Sequence, residues 1–142
     1  DSNKIGDCMD LKFENNTPIY VQIMNWIKEQ IVSNRFLAGS RLPSVRDMSE
    51  QFNVTSNTIQ RVLRELEIEG IIYTQRGIGV FITEDKDKIT NLRLNMSRQL
   101  VEKFIGSMQL LGFSNEEIIN AVIRISKAGL TDADSDKDKG SM

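Results

Sequence analysis

The chain of 142 residues contains no histidine, and Cys8 is its only cysteine. The side chains that most often act as general base or nucleophile, or as zinc ligands, are therefore nearly absent. No acids stand at metal-ligand spacing. The sequence calls for no cofactor and no metal, and it argues against an enzyme. Its polar chemistry lies instead in arginines and short amide or hydroxyl side chains. Arg46, Arg61, Arg64 and Arg76 fall within one stretch, interleaved with Asn57, Thr58 and Gln60. Net charge is −2, from 18 Lys+Arg against 20 Asp+Glu. A domain that binds nucleic acid is usually basic. The tail TDADSDKDKGSM, however, holds Asp132, Asp134, Asp136 and Asp138, and phosphate binding needs only a local positive face.

The elements that must carry these residues read in order from Leu42 to Ile82. Ser44 caps a short helix with Val45, Met48 and Phe52 inward, and Asn53-Val54-Thr55 makes a turn. Thr55 or Ser56 then caps a second helix, with Ile59, Val62, Leu63 and Leu66 on its inner side. Gly70 suits a left-handed helix end. Ile71 to Thr74 and Val80 to Ile82 are β-branched and aromatic, as strands prefer, around the tip Arg76-Gly77-Ile78-Gly79. A Gly-x-Gly between two strands, not ahead of a helix, is no dinucleotide site. Helix, turn, helix and hairpin in that order make a winged helix-turn-helix, a module that lays one helix in the DNA major groove.

Ahead of it, Thr17-Pro18 is expected to open a helix, with Thr17 as cap, Pro18 at the first helical position and an apolar stripe of Ile19, Ile23, Ile27 and Ile31. Tyr20, Met24 and Trp26 widen that stripe. Trp26 reads as packing in preference to a ligand-stacking group. The expected fold is mostly α with a small β-hairpin. A flexible arm covers residues 1–10 and the winged domain 11–83. A helical dimerisation segment covers 86–130, and a disordered acidic tail 131–142. Cys8 sits in the arm and reads as an incidental thiol in preference to a redox sensor.

In the dimerisation segment one helix runs from Lys86 to about Leu111. Its stripe is Leu92, Met96, Leu100, Phe104, Met108 and Leu111. Gly112-Phe113 breaks it. Ser114 to Glu117 forms a capping box for a second helix that Gly129 is expected to close. Two helices this apolar exceed what a helical hairpin hides by itself: either they fold back on the winged domain or they bury against a second copy, and a homodimer is preferred because its two-fold axis suits palindromic half-sites. No apolar run approaches the ~18 residues of a membrane span. A reduced, cytoplasmic setting is expected from the lone cysteine.

At these residues the chain resembles the GntR family of bacterial transcriptional regulators. The motifs are Leu42-Pro43-Ser44-Val45-Arg46, Glu69-Gly70-Ile71 and Arg76-Gly77-Ile78-Gly79. The run Val54 to Gln60, with Arg64-Glu65-Leu66-Glu67 and Ile72-Tyr73-Thr74, is similar to the YtrA-type subfamily. Members of that type carry a short helical dimerisation segment and often repress operons of ATP-binding-cassette transporters.

The resemblance implies double-stranded DNA as partner. It assigns phosphate or base contacts to Arg46 and a phosphate bond to Ser44. Thr55, Ser56, Asn57 and Thr58 fall at the groove end of the recognition helix, where amides and hydroxyls suit phosphate and Asn suits adenine. Gln60 and Arg61 would read bases, and Arg76 and Gly77 would set the wing tip in the minor groove or along its phosphates. Two departures matter. Ser56 and Gln60 replace arginines common in the family, so no operator sequence transfers. Ile78 replaces a lysine common in the subfamily, which removes one phosphate contact. A bland pairing of Arg46 with Glu50 and Arg61 with Glu65 remains open, as does an adaptor that binds protein and no DNA. A small-molecule effector is also left open. Phe104, Met108 and Phe113 are candidates to line its pocket, and packing accounts for them equally.

Overall fold

The structure is a computed structural model and describes residues 11–141, with side chains up to residue 129. Expectations for the arm at 1–10 and for the tail side chains lie outside the described residues. The chain forms two compact units, the first ending at Asn95 and the second beginning at Met96.

In the first unit, helix α1 (Ile19–Val32) is followed by α2 (Val45–Phe52) and α3 (Ser56–Ile68). Strands β1 (Ile72–Gln75) and β2 (Gly79–Ile82) pair antiparallel, with Ile72 opposite Ile82 and Gln75 opposite Gly79. The core lies where the three helices and the hairpin meet. Ile23, Ile27 and Ile31 of α1 are fully buried with Met48 of α2, Ile59, Val62 and Leu66 of α3, and Ile82 of β2. A fully buried aliphatic side chain contributes about 1.5–3 kcal/mol, so these residues set the relation of α3 to its neighbours. Trp26 packs edge-on against Phe36 and Phe52, at 5.6 and 5.4 Å between ring centroids. It is a core residue.

The start of α1 departs from expectation. Pro18 is the N-cap, and its carbonyl accepts from Val21 N at 3.1 Å and Gln22 N at 3.2 Å. Thr17 makes no side-chain cap. Its carbonyl instead accepts from Gln22 Nε2 at 2.7 Å, while the Gln22 side chain also holds the Glu14 backbone. Ile19 is 44% exposed and falls outside the buried stripe, while its neighbour Tyr20 packs against the core.

A further pairing is not legible in the sequence. Residues 39–42 run beside β2, with Gly39 N to Ile82 O at 2.9 Å, Ile82 N to Ser40 O at 2.9 Å and Leu42 N to Val80 O at 2.8 Å. These bonds cover the outer edge of the hairpin and anchor the wing to the segment that leads into α2.

Helix α4 (Lys86–Leu110) begins in the first unit, where Ile89 and Leu92 pack against the core. Leu92, grouped by spacing with the dimer seam, thus covers the winged domain. In the second unit, α4 turns at Gly112 into α5 (Asn115–Ser141). The capping box forms: Ser114 N donates to Glu117 Oε1 at 3.0 Å and Glu117 N donates to Ser114 Oγ at 3.2 Å. The bond from Ser114 N foremost, and the Ser114 hydroxyl after it, hold the Glu117 carboxyl below its ordinary pKa. Gly129 does not end this helix; the backbone stays helical to Ser141. Gly129 lacks the positive φ of a left-handed cap, and a glycine inside a helix weakens it without breaking it.

Candidate nucleic-acid interface

The site is built on the two ends of α2 and α3 and on the wing tip. Ser44 takes an extended conformation ahead of α2, and its Oγ accepts from Asp47 N at 3.1 Å. Arg46 follows in the first turn, exposed, with Nε 3.3 Å from Glu50 Oε1. The bland pairing of Arg46 therefore forms. An exposed pair at that spacing is worth only about 0.3–0.5 kcal/mol, far less than a phosphate contact can offer. Asn53 ends α2 with φ 55°, which turns the chain into α3. Asn tolerates that left-handed conformation better than most side chains.

Thr55 caps α3. Its Oγ1 accepts from Thr58 N at 3.3 Å and lies 3.0 Å from Thr58 Oγ1. The hydroxyls are thereby drawn together at the helix N-terminus, where free backbone N–H groups and the helix dipole favour an anion. Helical spacing then sorts the rest of α3. Ile59, Val62 and Leu66 are buried, so Asn57, Arg61, Arg64 and Ile68 stand on the opposite face, with Gln60 at its flank. All five are exposed, as is Ser56, while Thr58 is half-buried.

Arg61 does not pair with Glu65. Its guanidinium lies over the ring of Tyr20 on α1, with Cζ 3.8 Å from the ring centroid. Lys28 Nζ of α1 binds Glu69 Oε2 at 2.8 Å, just past the end of α3. These two contacts tie α3 to α1 near its middle and just past its C-terminal end.

Arg76 and Gly77 stand exposed at the wing tip, closed by Ile78 N to Gln75 O at 3.0 Å. Behind them the hairpin is stiffened by the stacked rings of Tyr73 and Phe81, 5.7 Å apart. Arg41 also belongs to this edge, and sequence reasoning missed it. A Cβ at Gly79 would stand 2.5 Å from Arg41 Nε, so the glycine leaves room for the guanidinium to lie across the wing. The available signal was an arginine directly ahead of Leu42-Pro43-Ser44, together with the second glycine of the tip.

Sequence reasoning sets these polar groups on three separate elements. The structure carries them on one rigid unit: a helix with an outward polar face, an arginine at the start of the helix before it, and an arginine-bearing wing. A family model described as bacterial regulatory proteins, gntR family, matches residues 19–82. YhcF of Bacillus subtilis, an uncharacterized HTH-type transcriptional regulator, is 38% identical, across 85% of this chain and 100% of that protein. This chain belongs to the GntR family.

The YtrA-type resemblance holds as well. YtrA of Bacillus subtilis, named an HTH-type transcriptional repressor, is 32% identical over 78% of this chain and 86% of its own length. A solved GntR family transcriptional regulator from Listeria monocytogenes superposes with a TM-score of 0.74 at 43% identity, covering 79% of this chain and 98% of that one. The family and these relatives are regulators of transcription and not enzymes. Among the described residues no helix is long and apolar enough to cross a membrane.

Proposed function

We propose that this GntR-family protein is a sequence-specific DNA-binding repressor that acts as a homodimer on a palindromic operator, in the bacterial cytoplasm. The observation that carries the reading is the outward face of α3. Its capped N-terminus presents Thr55, Ser56, Asn57 and Thr58, and Gln60, Arg61 and Arg64 follow on exposed positions. Asn57 and Gln60 have the paired donor and acceptor that match adenine, and arginine matches guanine. Ser44 and Arg46, with Arg41, Arg76 and Gly77, supply the phosphate contacts that hold this face in register. Repression follows the named activity of YtrA, and a transporter operon as target follows the YtrA-type resemblance.

The second unit supports the dimer. Leu100, Val101, Phe104, Leu111, Ile119 and Ile125 are between 41 and 73% exposed. Ile118 is the one buried hydrophobic among its described residues. A two-helix unit leaving this much apolar surface in water is explained by a second copy covering it. Met96 and Met108 are half-buried on the same helix and complete the seam.

The test is the double variant Arg46→Ala/Arg76→Ala, titrated against an operator duplex by fluorescence anisotropy at several salt concentrations. The thermal transition is expected to stay in place, since both side chains are exposed. The slope of log affinity against log salt should shrink by about 0.9 for each phosphate that the variant no longer neutralises. Unchanged affinity and slope would move the reading to an adaptor that binds protein and no DNA.

A further inference from the structure

Tyr20 lies outside the helix-turn-helix, in the first turn of α1, yet its ring carries an arginine of the recognition helix. The ring is half-buried and packs against the core of the winged unit, so it is a fixed platform. Arg61 remains exposed, with Cζ 3.8 Å from the ring centroid, and forms no ion pair with Glu65 one turn on. The attraction acts between the cation and the ring face and consumes none of the five N–H donors of the guanidinium. A free arginine loses much rotamer freedom when it docks. An arginine already held loses less, and that difference appears as affinity.

We propose that Tyr20 is a positioning residue for DNA recognition: it holds Arg61 over its ring so that the donor fork meets a pair of acceptors on the duplex. Those acceptors are two phosphate oxygens or guanine O6 and N7, which share the same bidentate geometry. The inference rests on the DNA-reading function proposed above and adds a residue of α1 to it. The ring, and not the hydroxyl, does the positioning.

The experiment uses the full chain and a duplex that the unaltered protein enriches from a random pool. Affinity is measured for Tyr20→Phe, Tyr20→Leu, Tyr20→Ala, Arg61→Ala and the double variant Tyr20→Ala/Arg61→Ala. Phe keeps the ring and should bind within about twofold of the unaltered protein. Leu and Ala should each bind about three- to tenfold more weakly, as should Arg61→Ala. The double variant should match Arg61→Ala alone, because Tyr20 acts only through Arg61. If Ala at position 20 perturbs the fold, Leu keeps apolar packing without a ring and decides the matter. A guanine contact shows as flattened preference at one position of each half-site. A phosphate contact shows as uniform weakening with a salt slope smaller by about 0.9.

Tyr20→Leu and Tyr20→Ala binding as tightly as the unaltered protein would overturn this inference and leave the DNA-reading function standing. Weakening by the same factor with or without Arg61 would overturn it too, since Tyr20 would then act by packing. Failure of the unaltered, folded protein to enrich any duplex would overturn both.

Discussion

Thr55 shows how one hydroxyl fixes the end of the proposed recognition helix. Its Oγ1 caps α3 through Thr58 N and meets the Thr58 hydroxyl. Thr55→Ala should cost about 1 kcal/mol in urea denaturation, and Thr55→Ser should restore most of it because the accepting oxygen returns. Caps such as this one are legible from the sequence because they depend on residues three apart. Pairings between distant residues are not. Neither the position of Arg41 across Gly79 nor that of Arg61 over Tyr20 follows from spacing along one helix. The sequence offers Glu65 as the partner of Arg61, since only helical neighbours can be counted there. Which partner an exposed arginine takes is set by how α1 crosses α3, and the buried isoleucines decide that.

At the scale of elements, apolar spacing and strand-forming residue types locate the five helices and two strands of the described residues, and the errors fall at their ends. Residue type alone assigns the cap to Thr17, while Gln22 occupies the Thr17 carbonyl and Pro18 takes the N-cap position. A terminating role for Gly129 needs positive φ, which it does not adopt. Gly70 does adopt it, with φ 77°, and the space a Cβ would fill there is occupied by Lys88 Nζ of α4. Gly70→Ala should therefore destabilise the protein by about 1–2 kcal/mol from backbone strain alone, read from the denaturant midpoint. The box at α5 gives a pH prediction. The carboxyl of Glu117 is lowered in the folded state, so its contribution is fully present above the ordinary glutamate pKa. It is lost as pH falls through the lowered one. Helicity of α5 should fray on acidification, and Glu117→Gln should flatten that part of the profile in a circular-dichroism titration.

For the whole molecule, the class of partner is more legible in the sequence than the partner surfaces. A net charge of −2 speaks against nucleic acid, but Arg46, Arg61, Arg64 and Arg76 collect on α2, α3 and the wing. By spacing, the apolar stripe of α4 reads as one seam. Leu92 instead serves the winged core, and the face open to a second copy runs from Met96 onward. Replacing Leu100 and Phe104 together by Glu should yield monomers in sedimentation velocity with the winged domain still folded. Operator affinity should fall steeply, because a monomer engages one half-site at a time. The central claim, that the outward face of α3 reads DNA sequence in a two-fold dimer, is tested most directly by selecting bound duplexes from a random pool at two salt concentrations. The account predicts an enriched palindrome, with half-sites about one helical turn apart or a multiple of it, and steep loss of binding at high salt. A folded protein that enriches no sequence at either salt concentration would contradict it.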